Sequence, residues 1–436
     1  NDVTTTVAVT GVTSGDVTIS STLAGITGNL LPVVGSSASG LVRYANGQLK
    51  LVTMAPEMPS ALETIRWCAR HGIVVSLGHT DADAAIAQRA TLLNRILVDV
   101  YGEQRLLEQG LLPPALIGQV LDACRELGVA PDAEVSLEAN PGTVSIASLR
   151  ALREAGINRL SLGFQSLDDA SLHVLGRIHT ASESVAAYEM ARRVGFDNVS
   201  LDFIYGFPGQ GLALWKHTLA GAVALQPDHL SLYGLTLEPG TPMASRVERG
   251  QLTLPDEDTV ADMYILAEET LADAGYNHYE ISNWARTPAH RCRHNLVYWR
   301  NGEYIGLGAG AHSHWRGKRY YNVLSPTEYI KRVERGESPV AESEDIAEPT
   351  AMAETMFLGL RLLEGLRFAD FERRFGRPLR EVYADAIAES ESLGLLEADR
   401  DGLRLTQRGR LLSNEVFVRF LPSERADKSP LPLGEG

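Results

Sequence analysis

Along Glu134–Gly234 the apolar and polar positions repeat one unit. Four short runs, EVSLEANP, NRLSLGFQS, NVSLDFIYGFPGQ and HLSLYGLT, have strand length and apolar centres. The first three are followed by VSIASLRALREAG, SESVAAYEMARRVG and LALWKHTLAGAVA, whose apolar positions recur at helical spacing. Strands alternating with helices predict consecutive βαβ units and a parallel sheet. In such sheets chemistry gathers at the carboxyl ends of the strands. The runs place Glu138, Gln165, Asp202 and Tyr233 at those ends, a row of polar side chains on one rim. Polar residues there also cap helices and satisfy loop backbone, so pattern alone makes the row a candidate site and no more.

The rest of the chain is read the same way. LLPPALIGQVLDACRELG predicts a helix leading into the central units, with Leu116, Val120, Leu121 and Cys124 on its apolar face. Cys124 therefore reads as a core thiol. Further upstream, LKLVTMAPE and IVVSLGHT read as strands, each followed by a helix-period segment. Their ends carry Glu57 and His79, a carboxylate and an imidazole that can share one divalent metal. Residues 1–40 are rich in Thr, Val, Ser and Gly, and fit either short strands or a poorly ordered tail. GLGAGAHS, with Gly306, Gly308 and Gly310, lacks the dinucleotide-binding spacing and reads as a tight turn that lets backbone approach a ligand. Towards the end, TAMAETMFLGLRLL, RFADFERRFG and LREVYADAIAESESLG read as helices. LLEADRDGLRLT reads as a hairpin turning at Asp401–Gly402. Three helices and a hairpin predict a winged-helix-like α+β domain. Its wing is not basic, which favours packing or partner docking over DNA binding. The divisions expected are 1–40, 41–110, 111–345, 346–424 and a disordered 425–436.

Composition narrows the classes. The 436 residues are 44% hydrophobic with a net charge of −15, a soluble globular balance that argues against a nucleic-acid partner. No apolar run approaches the roughly 18 residues of a membrane span, and no charged start precedes an apolar core. The three cysteines, Cys68, Cys124 and Cys292, are too far apart for a local metal motif or a disulfide framework, and a reducing cytoplasm fits.

Two resemblances follow from these runs. VTMAPE with GIVVSLGHTDAD is similar to N-acetylglucosamine-6-phosphate deacetylase, an amidohydrolase-type barrel, over about 50 residues. It implies Glu57 and His79 as metal ligands. That family's later His and catalytic Asp have no match, and TLLNRILVDVYG lacks a His where the next is expected. A structural role for this stretch is therefore the expectation. From about residue 110 to 424 the chain resembles the coproporphyrinogen-oxidase-like radical S-adenosylmethionine (SAM) family, and within it the HemW-type haem chaperones. The runs that carry this include LLPPALI, LEANPGT, AGINRLSLGFQS, LGRIHTA, GFDNVSLDFIYGFPGQ, PDHLSLYGLTLEPGTP, YEISNWA, CRHNLVYWRNGEYIGLGAGAHS and the helix start Ser325–Pro326–Thr327–Glu328.

This resemblance implies a TIM-type βα barrel, complete or partial, with the C-terminal domain above. It implies a cytoplasmic haem-binding chaperone that hands haem to membrane haemoproteins, and it allows a homodimer. SAM contacts carry over to Glu138, Gln165, Arg177 and Asp202. HNLVYW carries a haem site over to His294, with Tyr298 and Trp299 offering flat area to a porphyrin. Arg293 and Arg300 are placed to pair with propionates, and His290, His312 and His314 are less specific alternatives to His294. The family's 4Fe-4S cluster needs three thiolates in a CxxxCxxC loop, and that loop and the GGGTP-type segment are absent. No catalytic residue is assigned. The alternatives are a radical coproporphyrinogen III oxidase, and a recombined chain without function. The Leu49–Val100 units are expected to replace the family's first strands in the central sheet.

Overall fold

The computed structural model describes residues 129–422, helix Pro114–Glu126 and six strands before it. Glu57, His79, Cys68, the helices expected after Glu57 and His79, the Leu116 side chain and the 425–436 tail lie outside the described residues. The chain divides into two compact units, Asn1–Val98 with Ile330–Ser338, and Asp99–Tyr329 with Pro339–Gly436.

In the first unit β1 (Val3–Val9), β4 (Ala38–Ala45), β5 (Gln48–Met54) and β6 (Val74–Leu77) form one sheet in that order, and β2 (Val17–Ile19) pairs β3 (Leu30–Val33). β5 and β6, the strands that run towards Glu57 and His79, pair with each other in parallel. β4 takes the other side of β5 antiparallel, with Val42 opposite Val52. The expectation that these units complete the central sheet is therefore overturned. Their neighbour is β4, which is flanked in turn by β1 of the Thr- and Val-rich N-terminal stretch.

The second unit is built on β7 (Ser136–Ala139), β8 (Arg159–Gln165), β9 (Val199–Tyr205) and β10 (His229–Gly234), all parallel. β12 (Asn283–Ala285) and β11 (Asn277–Glu280) extend it antiparallel, in the order β11-β12-β10-β9-β8-β7. The predicted helices follow their strands at Ile146–Ala155, Ala181–Arg193 and Leu212–Ala224. Two start on capping boxes, Ser145 with Ser148 and Thr180 with Glu183. One sheet face carries Leu160, Leu162, Phe164, Leu201, Phe203, Leu230 and Leu232, all buried. It packs with Leu149, Leu152, Ala187, Ala191, Trp215 and Leu219 of the covering helices into one core. On the opposite face the same alternation places Arg159, Ser161, Ser200, Asp202, His229, Ser231 and Asn283.

β13 (His312–Trp315), β14 (Lys318–Asn322) and β15 (Val340–Asp345) form a separate antiparallel sheet. The C-terminal part has its own core of Met352, Met356, Leu360, Phe371, Leu403, Leu405, Val416 and Phe420. Its helices are joined by a three-stranded sheet of β16 (Leu366–Arg367), β17 (Leu396–Ala398) and β18 (Gly402–Leu405), ordered β16-β18-β17. The hairpin is the predicted one. The third helix differs: it breaks at Tyr383, φ −122° and ψ 30°, into Leu379–Val382 and Ala384–Ser392. The charges of Arg404 at the wing are spent on Glu397 and Asp399.

Candidate functional site

Two groups of side chains can carry chemistry: the polar face of the central sheet, and the helix Arg293–Trp299.

Register builds the polar face. Ser161 lies opposite Ser200, Ser200 opposite His229, and Asp202 opposite Ser231, which in turn lies opposite Asn283. Buried hydroxyls need partners, and these find each other. Ser161 Oγ donates to both Asp202 oxygens at 3.0 and 2.9 Å, and Ser200 Oγ to Oδ1 at 3.0 Å. Burial pushes the Asp202 carboxyl above its ordinary range, and the serine hydroxyls and Arg159 only partly oppose this. Asp202 is thus not a rim residue as its run suggested. β9 continues past it through Phe203–Tyr205, so it sits mid-strand on the polar face. His229 is fully buried, with Nδ1 2.8 Å from Ser200 Oγ and Nε2 2.9 Å from Tyr279 Oη. Burial and the Arg159 charge hold it well below the usual imidazole range. Arg159 is itself buried, and its Nε has no hydrogen-bond partner among the described residues.

The other rim candidates are placed differently. Glu138 is exposed on β7, the edge strand of the sheet. Gln165 ends β8 at φ 63°, with Ser166 N–H donating to Phe164 O at 2.7 Å across it. A non-glycine residue in that region costs on the order of 1–3 kcal/mol and is typical of ligand-facing turns. Arg177 is half-buried after helix Asp169–Val174, and its Nε lacks a partner among the described residues. Tyr233 is half-exposed, its phenol pushed up chiefly by burial.

The helix Arg293–Trp299 is clamped from a distant part of the chain. Glu134 accepts Arg293 N–H at 3.0 Å and His294 N–H at 3.1 Å, a carboxylate cap where the helix leaves N–H groups unsatisfied. Cys292 Sγ lies 3.8 Å from the same carboxylate. Arg293 donates to Asp132 O at 2.6 Å, and the exposed Arg300 reaches Glu364 at 3.6 Å. His294 is exposed, and neither ring nitrogen bonds a described residue. Its ring meets Tyr298 edge-on at 4.8 Å, one helical turn away, and Tyr298 meets Tyr304 at 4.6 Å. Trp299 is turned from this pair and lies under the Arg361 guanidinium, 4.3 Å from the ring centroid. The structure therefore brings His294 and Tyr298 together and sets Trp299 apart.

The alternative histidines are engaged. His290 meets Thr287 Oγ1 at 3.1 Å, His312 stacks on Tyr321 at 5.2 Å, and buried His314 meets Gly302 O at 2.9 Å. The GLGAGAHS turn is held from within and from its neighbours: Gly306 N–H donates to Ser313, Gly308 N–H to Tyr329, and Asn322 to Gly308 O.

The two described cysteines do not fit an iron–sulfur cluster. Cys124 and Cys292 are free thiols on separate elements, and burial pushes both up, away from the thiolate that a ligand must be. Among the described residues no three His, Cys, Asp or Glu side chains converge on a metal geometry. No described helix is long and apolar enough to cross a membrane.

Sequence reasoning missed Glu134, Ser200, His229 and Tyr279. The alternating Ser–Leu letters of every central run were the available signal for the polar face; nothing local marks Glu134.

Comparison with known proteins matches two parts of the chain. The Radical SAM superfamily profile matches residues 63–220, starting inside the stretch expected to resemble a deacetylase, and the HemN C-terminal domain profile matches 346–412. The heme chaperone HemW of Bacillus subtilis is 36% identical over 306 residues, 70% of this chain and 79% of that protein. HemW of Mycobacterium tuberculosis is 40% identical over 314 residues, 71% and 78% of the two chains. A mouse protein described as radical S-adenosyl methionine domain-containing protein 1, mitochondrial, is 36% identical over 72% of this chain and 73% of its own. Among solved structures, the coproporphyrinogen III oxidase HemN of Escherichia coli, a radical SAM enzyme, superposes with a TM-score of 0.62 at 21% identity. It covers 80% of this chain and 85% of that one, and shares the α/β barrel-type fold.

Proposed function

This chain belongs to the heme chaperone HemW family of radical SAM-type proteins, and on that premise we propose that it binds haem through the helix Arg293–Trp299. His294 is the iron ligand, and Tyr298 lies beside the porphyrin. The observation that carries this reading is the exposed His294 imidazole on a clamped helix, both nitrogens free of described partners and its edge against Tyr298. An exposed imidazole held this way is a ready haem ligand. Trp299 supports the helix from beneath, with Arg361 over its ring. Arg300, exposed and held among the described residues by a long contact to Glu364, can meet a propionate.

Glu138, Gln165, Arg177 and Asp202 are proposed as the SAM-facing set. The strained Gln165 turn and the unpartnered Arg177 Nε support ligand contact. Much of that ligand's affinity in radical enzymes comes from chelation to a cluster, which the cysteines here do not provide, so its binding is weak and no radical step is assigned. No metal site is proposed at Glu57 and His79, which lie outside the described residues. Acceptance of haem in the cytoplasm and delivery to membrane haemoproteins is the role proposed for the whole. Titration of the purified chain with haemin, against His294→Ala, tests the reading. Loss of the histidine-ligated spectrum in the variant supports it, and identical spectra overturn it.

A further inference from the structure

The polar face contains a hydrogen-bond chain that haem ligation by itself does not use. Cys292 N–H, at the start of the His294 helix, donates to Tyr279 Oη at 3.1 Å. Tyr279 Oη lies 2.9 Å from His229 Nε2, His229 Nδ1 lies 2.8 Å from Ser200 Oγ, and Ser200 Oγ lies 3.0 Å from Asp202 Oδ1. One arrangement of protons satisfies every link. The Asp202 carboxylate accepts, so the Ser200 hydroxyl donates to it. Ser200 then accepts from His229 Nδ1–H. His229 is neutral under burial and the Arg159 charge, so its Nε2 accepts the Tyr279 hydroxyl proton. Tyr279, having donated, accepts from Cys292. Ser200, His229, Tyr279 and Cys292 are all at least nine-tenths buried. In such surroundings the links polarise one another, and removing one leaves two groups unsatisfied.

We propose that Ser200, His229 and Tyr279 are positioning residues for the iron ligand, joining the first turn of the His294 helix to Asp202 across the barrel sheet. Glu134 holds the helix from the outside through Arg293 and His294; the chain holds it from within through Cys292. Any ligand that engages Asp202 thereby acts on the helix that carries His294. This rests on the haem reading above.

The test uses the full chain and three variants: Tyr279→Phe, Ser200→Ala and the double. Both single changes delete one oxygen and preserve shape. Two quantities are measured: haemin affinity with the spectroscopic signature of the bound iron, and amide exchange of Cys292–Trp299 in the ligand-free protein. Each single variant is expected to raise the haemin Kd about three- to tenfold, to shift the signature of the iron that does bind, and to speed exchange at Cys292. The double is expected to be no worse than the stronger single, because either break interrupts the same chain. Additive effects overturn the proposal, as does a Ser200→Ala protein that matches wild type. A loss spread evenly over the sheet, with exchange in the helix unmoved, overturns it too. If wild type and His294→Ala bind haemin alike, the haem reading fails by itself. The exchange arm still decides the chain in that case, and unaltered exchange at Cys292 in both single variants refutes it.

Discussion

Replacing Glu134 with alanine removes the outer clamp of the His294 helix. The carboxylate accepts two backbone N–H groups, at 3.0 and 3.1 Å, where a short helix has few other means of satisfying them. Loss of a side-chain cap costs roughly 0.5–2 kcal/mol. Loss of a negative charge at a helix N-terminus costs about 0.3–1 kcal/mol more. A total near 2 kcal/mol raises the opening constant of the first turn by about thirtyfold. Amide exchange at Arg293 and His294 should accelerate by at least tenfold. Haem affinity falls only by the fraction of molecules whose helix is open, so the haemin Kd should rise about two- to tenfold. Glu134→Gln keeps one acceptor oxygen without the charge and should fall between. Exchange at Arg293 and His294 that does not change in Glu134→Ala would refute the clamp. Faster exchange with unaltered haemin affinity would refute the link from helix to ligand.

The clasp at Glu268 should show its own pH signature. Its carboxylate accepts Arg410 Nε at 2.8 Å and Gln407 at 3.0 Å, and lies 3.3 Å from His278 Nδ1. Burial works to raise its pKa, but the His278, Arg410 and Gln407 contacts outweigh it and hold the group below the ordinary range. A depressed folded pKa contributes stability above the unfolded value of about 4.3, and that stability is lost as pH falls through the folded value. Glu268→Gln should therefore lower unfolding stability by about 2–4 kcal/mol at pH 7, with the gap to wild type closing in strong acid; a gap independent of pH contradicts this. At Gly306 an added Cβ would overlap the His312 carbonyl oxygen. Gly306→Ala should cost about 3 kcal/mol or more in denaturant unfolding, and a neutral result would deny the close approach. Iron and acid-labile sulfide in the purified chain should fall far below four of each per molecule; a stoichiometric cluster would reverse the conclusion drawn from the cysteines.

The alternation of strand and helix from Glu134 onwards was legible because each element states its own period. Asp401–Gly402 announces the wing. Partners distant in sequence were not legible. β5 and β6 read as strands, but nothing in their letters says that β4 flanks β5 and that they sit outside the central sheet. Asp202 looked like a strand end because the run was read as an apolar segment with a polar stop; the Ser–Leu alternation in fact marks one apolar and one polar face. Glu134 acts on a helix that starts 159 positions downstream, and His229 meets a tyrosine 50 positions on. The HNLVYW motif singled out His294 as a candidate, while the stacking of Trp299 under Arg361 depends on a packing that only the fold creates.

Haemin titration of the cysteine-poor full chain, in parallel with His294→Ala and with Cys292→Ser, is the most direct trial. The account predicts near-stoichiometric haem in wild type and Cys292→Ser, with a histidine-ligated spectrum that disappears in His294→Ala. A wild-type protein that stays colourless in excess haemin, or a spectrum that survives in His294→Ala and vanishes in Cys292→Ser, would contradict it.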